Sequence, residues 1–175
     1  MAIVRYIYGM DHRTAALDQY DQTLLSLLQT DSQVSYAELG KKIGLSVSAV
    51  NERIKKLQGR GIISKYVAVL DAAKLDLGLC AFIHVWIDRP ASEDSFIDKI
   101  KSIPEIQECH HVTGEFNYLL KVRVSGTAAL EALLKEKLKS LKGVVKVQTF
   151  VVLSTQKETT ALPLQRLSPK GETRS

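Results

Sequence analysis

The sequence has little that would place the protein in a membrane or in an oxidising compartment. None of its 175 residues belongs to an apolar run approaching the roughly 20 residues that span a bilayer. Arg5 interrupts a short apolar run near the start, and no small-residue cleavage site follows it. There are two cysteines, Cys80 and Cys109, and isolated intracellular cysteines are usually small core residues. We therefore expect a cytoplasmic protein without a disulfide.

Motifs of common enzymes are also missing from the sequence. It has no Cys-x-x-Cys, His-Glu-x-x-His, glycine-rich phosphate loop or Gly-x-Ser-x-Gly. His110 and His111 are neighbours on a predicted strand, so their side chains point to opposite faces and cannot hold one metal ion together. The sequence favours a protein that is not an enzyme and has no cofactor, no metal site and no catalytic residues.

Positive charge is concentrated in one segment of an otherwise balanced chain. The total is +5, and the segment from Lys41 to Lys65 has seven basic residues against one acidic residue, Glu52. This segment alone amounts to +6, so the rest of the chain sums to −1. Such a stripe is typical of a nucleic-acid-binding surface, although a solvated helix face can show the same density.

Three helices are predicted in this part of the chain. Asp18 is a cap for the first, Ser35 and Glu38 form a capping box for the second, and Gly44 ends the second in a left-handed conformation. Ser46 caps the third helix, which runs to about Gly59. On its inner face the helical period places Val47, Val50, Ile54 and Leu57, and on its outer face Ser48, Asn51, Glu52 and Lys55. Two helices joined by a short glycine-containing turn, the second one polar outside, indicate a helix-turn-helix.

The remaining sequence alternates between strands and helices. Residues 65–70 are predicted as a wing or linker strand. The elements that follow are predicted as a strand at 81–88, a helix at 92–102, strands at 106–113 and 116–124, a helix at 127–141 and a strand at 144–153. This βαββαβ order is the ferredoxin-like arrangement, so the fold class is α+β.

The first and last strands of this half are apolar on both faces. Ile83, Val85 and Ile87 alternate with Phe82 and Trp86. The last strand places Val145, Val147 and Val151 against Phe150 and Val152. Because both helices cover one face of the sheet, the second apolar face needs another cover, and a partner subunit is the simplest one.

Several segments together resemble the Lrp/AsnC (feast/famine) family of regulators. They are residues 17–21 (LDQYD), residues 45–57 (LSVSAVNERIKKL) with 61–63 (GII), residues 112–120 (VTGEFNYLL) and residues 157–160 (KETT). The resemblance covers about residues 17–164. It implies a winged helix-turn-helix, a ferredoxin-like RAM domain, dimers that often assemble further to tetramers or octamers, and amino-acid effectors bound between RAM domains. The expected organisation is an unassigned leader (1–16), a winged helix-turn-helix domain (17–70), a linker (71–79), a RAM domain (80–164) and a flexible tail (165–175).

The resemblance also implies which residues face double-stranded DNA. By position they are Ser46, Ser48, Asn51, Arg53, Lys55 and Lys56. We expect the cations to contact mainly phosphate, whereas Ser48 and Asn51 are better suited to base edges. Glu52 has two interpretations, as an acceptor for a cytosine amine or as an ion-pair partner of Lys56 one helical turn on; we favour the second.

The effector loop of the family resembles Gly-Asp-x-Asp, and here it is Gly114-Glu115-Phe116-Asn117. The effector-binding residues implied are Thr113, Gly114, Glu115, Phe116, Asn117 and Tyr118. Asn117 replaces an aspartate with a neutral carbonyl, a weaker partner for an amine, and Glu115 is a candidate to compensate. The other interpretation of this segment is a structural hairpin turn.

The sequence thus predicts a sequence-specific transcriptional regulator that responds to a small amino acid. Two alternatives remain open. One is an enzyme similar to the sirohaem decarboxylases, which resemble the family in fold, with His84, His110 or His111 serving a tetrapyrrole; the basic third helix argues against it. The other is a DNA-compacting protein that ignores effectors, which the loss of the aspartate at position 117 keeps open.

Overall fold

The structure, a computed structural model, describes residues 17–88 and 93–164. The predicted leader (1–16), the predicted tail (165–175) and the expected start of the helix at residue 92 lie outside these residues. The chain divides into two compact units, one ending at Ala68 and rejoined by residues from Thr159 onward, the other spanning Val69–Glu158. No helix in the described part of the chain is long and apolar enough to cross a membrane.

The first unit contains three α-helices whose ends are set by local hydrogen bonds. They are α1 (Gln19–Thr30), α2 (Tyr36–Ile43) and α3 (Val47–Gly59). The Asp21 N–H donates to Asp18 Oδ1 at 2.8 Å, and Ser35 and Glu38 form the reciprocal capping box. Gly44 ends α2 with a φ of 72°, which glycine adopts without steric cost. The predicted caps and the three predicted helices are confirmed.

The core of the first unit lies where α3 packs against α1 and α2. Its buried side chains are Leu24, Leu28, Leu39, Val50 and Ile54. The prediction that Val47 belongs to this buried face is wrong, because Val47 is 52% exposed. As the first residue of α3 it lies a turn ahead of Val50, beyond the end of the core.

The predicted strand at residues 65–70 is not formed in the structure. These residues have an irregular backbone and no ladder partner in the described parts of the chain, and Val69 and Leu70 are largely exposed. A strand requires a second strand to receive its hydrogen bonds, and apolar, β-branched composition alone does not supply one.

The second unit is a four-stranded antiparallel sheet with its helices on one face. In chain order it comprises β1 (Leu79–Ile87), α4 (Glu93–Lys101), β2 (Ile106–His111), β3 (Tyr118–Val124), α5 (Thr127–Ala132) continuing into a π-helical segment (Leu133–Leu138), and β4 (Val144–Val151). The strand order is β2-β3-β1-β4. The predicted βαββαβ fold is confirmed, although the second predicted helix changes to π-helical winding at Leu133.

The helix-covered face of this sheet holds the larger core. Ile83, Val85 and Leu120 are fully buried there, against Phe96 and Leu138 from the helical segments. Their burial drives the folding of this unit, since each aliphatic side chain removed from water contributes about 1.5–3 kcal/mol.

Two side chains in the second unit differ from their predicted positions. The register of β4 against β1 shifts so that Trp86 pairs with Lys146 and Ile87 with Val144. Val145 is the bulged residue, and it is 56% exposed rather than aligned with Val147. Cys80 is buried as predicted, but Cys109 is exposed because it lies on the edge strand β2; neither forms a disulfide.

Candidate DNA-binding surface and effector loop

The exposed face of α3 is polar and basic. Ser46, Ser48, Lys55 and Lys56 are exposed, and Asn51 is half-buried beside them. The Ser46 hydroxyl caps the helix by accepting from the Ala49 N–H at 3.2 Å, and it hydrogen-bonds to the Ser48 hydroxyl at 3.0 Å. The structure therefore brings five of the six predicted DNA-binding residues onto one outward surface.

Arg53, the sixth predicted residue, is held within the first unit. Its Nη1 lies 2.7 Å from Asp18 Oδ2 and 2.8 Å from Asp21 Oδ1. Its guanidinium carbon also lies 5.2 Å from the centre of the Tyr20 ring. Two carboxylates already accept from this group, so Arg53 is less accessible to DNA than the other five residues, and its contact with DNA stays a prediction. The helical period predicts that Arg53 lies on the flank of α3, but it could not reveal the partners of Arg53 at the start of α1.

The other cations of the basic segment differ from Arg53 in their ion pairing. In contrast to Arg53, none of Lys41, Lys42, Lys55, Lys56, Arg60 and Lys65 forms an ion pair with a described residue. The expected pair between Glu52 and Lys56 is likewise not formed within the described residues. A groove of about 410 Å³ between α1 and α3 is lined by Arg53, Lys56 and Arg60 together with the acidic Asp18, Asp21 and Glu52.

The predicted effector loop is a tight connection between β2 and β3. Val112 N–H donates to Asn117 O at 2.8 Å, and Gly114 takes a φ of 124°, which favours glycine. The Asn117 side-chain carbonyl accepts from the Ile87 N–H at 2.6 Å, and the Asn117 N–H donates to Val85 O. Asn117 thus joins the loop to the end of β1, and its carbonyl oxygen already has a donor.

The other predicted effector residues divide between the two faces of the sheet. Thr113, Gly114 and Glu115 are exposed, and Glu115 lies 2.6 Å from Lys146 Nζ. Lys146 also lies over the Phe116 ring, whose centre is 5.2 Å from that of His84. Tyr118 points the other way.

Tyr118 belongs to the helix-covered core. Its ring packs against Phe96 and His111, with centroids 4.9 and 5.0 Å away. Burial raises the pKa of Tyr118 to about 12. The structure therefore separates Tyr118 from the exposed part of the loop.

Among the described residues, the helices of the second unit pack on one face of the sheet and leave its second face without a helix. We call it the open sheet face, and its strand residues are Phe82, His84 and Trp86 of β1, Leu119 and Lys121 of β3, and Gln148 and Phe150 of β4. Trp86 is 40% exposed and Phe150 48% exposed. The predicted apolar second face is present in the protomer.

One edge of the open sheet face carries a charge cluster that the sequence patterns did not reveal. Lys121 donates to Glu158, and Arg123 Nη2 lies 3.0 Å from Glu158 Oε2. Glu108 is 3.4 Å from Lys121 Nζ. Strand alternation could have grouped Lys121 with Arg123, but only the path of the chain after β4 brings Glu158 to them.

This cluster should make the stability of the second unit sensitive to acid. The hydrogen bond from Lys121 lowers the pKa of Glu158 below its ordinary value of about 4.5. The stabilisation is then fully present above the ordinary pKa and is lost as the pH falls through the lowered one. We expect Glu158→Gln to melt at a lower temperature than the wild type at neutral pH and to converge with it near pH 3. Calorimetry across this range measures the melting temperatures, with Glu136→Gln as the control, because Glu136 is exposed and forms no ion pair with the described residues. A difference in melting temperature between the wild type and Glu158→Gln that stays the same at every pH would contradict the assignment.

The three histidines considered for a tetrapyrrole do not form one cluster. His84 lies between Phe116 and Phe150 on the open sheet face, and His110 Nε2 is 3.2 Å from Glu108 on the same side. His111 packs on Tyr118 on the other side. The predicted opposite orientation of His110 and His111 is confirmed.

Comparisons with known proteins place these two units in one family. An AsnC-type helix-turn-helix domain matches residues 17–58, and the Lrp/AsnC ligand binding domain matches residues 80–162. The leucine-responsive regulatory proteins of Escherichia coli K12 and Klebsiella pneumoniae are 38% identical over 151 residues, which cover 85% of this chain and 92% of theirs.

Solved structures agree with this assignment. A transcriptional regulator of Neisseria meningitidis in complex with L-methionine matches with a TM-score of 0.84 at 34% identity, covering 87% of this chain and 99% of its own. The feast or famine regulatory protein of M. tuberculosis, also complexed with L-methionine, gives 0.78 at 31% identity, covering 84% and 99%. The fold and the basic helix define a DNA-binding regulator of the helix-turn-helix class. The chain belongs to the Lrp/AsnC family.

Proposed function

We propose that this regulator binds operator DNA through α3, senses a small amino acid at the loop between β2 and β3, and acts as a homo-oligomer. The observation that supports the first part most strongly is the outer surface of α3. Lys55 and Lys56 form no ion pair there with any described residue, and Ser48 and Asn51 lie between them and the helix start. Free cations suit phosphate, and hydroxyl and amide groups suit base edges.

For the amino-acid site, the exposed residues of the loop are the best candidates. Glu115 is accessible, and its carboxylate can exchange Lys146 for the ammonium of a ligand. Asn117 acts indirectly in this proposal, because its hydrogen bonds to β1 hold the loop in place. Two family members solved with L-methionine make an amino acid the first ligand to test.

For the oligomer, the support is the open sheet face. Trp86 and Phe150 expose aromatic surface in the protomer, and burying it against a second copy would stabilise an assembly. In this proposal the amino acid shifts the equilibrium between assemblies, and thereby changes the spacing of the DNA-binding helices and the affinity for DNA.

The experiment that tests the proposal is fluorescence anisotropy with the DNA upstream of the protein's own gene and with a scrambled version, over a salt series, with and without mixed amino acids. A specific regulator should prefer the upstream DNA and lose affinity as salt rises. A shift on adding amino acids supports the loop. Equal affinity for both DNAs and no amino-acid effect would indicate a DNA-compacting protein, and no binding at low salt would overturn the DNA-binding proposal.

Lys55→Ala should weaken binding to both DNAs. If Lys55 contacts one phosphate, its loss removes about one released counterion, so the slope of log affinity against log salt should fall by about 0.9. The control is Lys139→Ala, which removes an exposed lysine from the second unit. An unchanged salt slope for Lys55→Ala would exclude the phosphate contact.

A further inference from the structure

A single guanidinium connects the start of α1 with the middle of α3. Arg53 reaches both Asp18 and Asp21, at 2.7 and 2.8 Å, and its planar group lies beside the Tyr20 ring. We call Arg53, Asp18 and Asp21 the Arg53 clamp. Arg53 is 35 residues from Asp18 and 32 residues from Asp21 in the sequence, so the clamp fixes tertiary rather than local structure.

Both carboxylates of the clamp lie at the start of α1, and Asp18 is also held there by its role as the helix cap. Asp18 uses Oδ1 to cap α1 and Oδ2 to bind Arg53, so the cap and the ion pair share one side chain. Burial raises the pKa of Asp18, but the Asp21 N–H and the Arg53 guanidinium lower it by more, and the net pKa is below its ordinary value. Asp21 is the one buried charged residue of the described chain.

The clamp is stiff because of its chemistry and its burial. The side chains of Asp21 and Arg53 are 12% and 28% exposed, so solvent screens their interaction less than that of a surface pair. Both carboxylates accept from one nitrogen, Nη1, of a planar guanidinium that also lies over the Tyr20 ring, whereas a lysine ammonium on a flexible stem has no such plane. The arrangement therefore sets both the distance and the rotation of α3 relative to α1.

We infer that the Arg53 clamp is a positioning device for DNA recognition, which holds α3 at the rotation that brings Ser48 and Asn51 to base edges. Arg53 acts through these residues and does not bind DNA itself. The inference rests on the proposed binding of DNA through α3. It predicts that the clamp governs discrimination between DNA sequences, because base contacts depend on geometry more steeply than phosphate contacts do.

The test uses Arg53→Gln, Asp18→Asn and Asp21→Asn in the full-length chain. Asn remains a good helix cap, so Asp18→Asn removes the charge and keeps the cap. Each variant should lose about tenfold in affinity for the preferred DNA, with little change for scrambled DNA and an unchanged salt slope. Arg53→Lys should restore little, because an ammonium on a flexible stem lacks the planar group that lies over the Tyr20 ring.

The sign of the effect separates the clamp from simple electrostatics. Removing an acidic group near DNA reduces repulsion and should tighten binding. Glu52→Gln is the matched control for that effect, because Glu52 is an exposed acid on α3 that forms no ion pair with the described residues. The clamp predicts the opposite sign for Asp18→Asn and Asp21→Asn. Tighter binding by these two variants would overturn the inference.

Two further outcomes would also overturn it. A salt slope lowered by about 0.9 in Arg53→Gln would make Arg53 a phosphate contact. Lower melting temperatures with unchanged discrimination, measured where every variant is folded, would make the clamp structural only. If the wild type binds no DNA, the proposed function fails instead, and that result is seen before any variant is compared.

Discussion

Replacing Gly40 by alanine is expected to destabilise the helix-turn-helix unit by about 2–3 kcal/mol and to abolish DNA binding. A Cβ at this position would lie 2.5 Å from the Leu45 carbonyl oxygen and 3.7 Å from Val50 Cγ2. The oxygen belongs to the backbone of the turn between α2 and α3, which cannot move without changing the direction of α3. The turn is already tight, because the Leu45 N–H donates to Gly40 O at 3.0 Å.

Thermal unfolding and anisotropy with upstream DNA measure the two effects of Gly40→Ala. Gly59→Ala is the matched control, since its Cβ would meet nothing within 4 Å and Gly59 lies in α3. This control should leave DNA binding intact and leave stability unchanged or raise it by at most about 1 kcal/mol. If both variants melt together and bind DNA equally well, close packing at Gly40 does not determine the geometry of the turn.

The features that the sequence predicts well in this chain are those determined locally. Asp18, Ser46 and the Ser35–Glu38 box act on backbone groups within four residues, so their chemistry is visible in the order of residues. The βαββαβ order was predictable for a similar reason, since the hydrophobic period changes where strand gives way to helix. The helix caps and the order of the elements both depend on residues close together in the sequence, so predicting them needs no knowledge of distant contacts.

The features that the sequence could not predict depend on distant partners. Arg53 has a side chain suited to a phosphate contact, and only the fold shows that Asp18 and Asp21 accept its hydrogen bonds. Asn117 has a side chain suited to a ligand contact, and only the pairing of β1 with β3 shows that its side-chain carbonyl accepts a hydrogen bond from the Ile87 N–H. The sequence therefore predicts a candidate site on α3 and on the loop, while the contacts of individual residues within it required the tertiary structure.

The proposed assembly gives the second large expected effect: Phe150→Glu should convert the oligomer into a folded monomer. Phe150 is 48% exposed in the protomer, so a carboxylate there can remain hydrated and the subunit should still fold. In an assembly that covers the open sheet face, the same carboxylate would be buried without a partner, which costs several kcal/mol.

Symmetry increases the effect of this substitution. In an interface between two identical surfaces each copy contributes the same change, so the cost is incurred twice. We expect the dissociation constant of the assembly to rise by roughly a hundredfold or more, since each 1.4 kcal/mol is a factor of ten. Light scattering after size exclusion gives the mass, and circular dichroism establishes that the monomer is folded.

Phe150→Leu is the matched control, because it keeps an apolar side chain at the same place beside His84 and opposite Phe82. This variant should retain the assembly, and with it the affinity for DNA that depends on two correctly spaced copies of α3. DNA binding should fall together with the mass of the particle in Phe150→Glu. A folded Phe150→Glu protein that keeps the wild-type mass would place the contact between subunits elsewhere on the chain and leave the open sheet face free in the assembly.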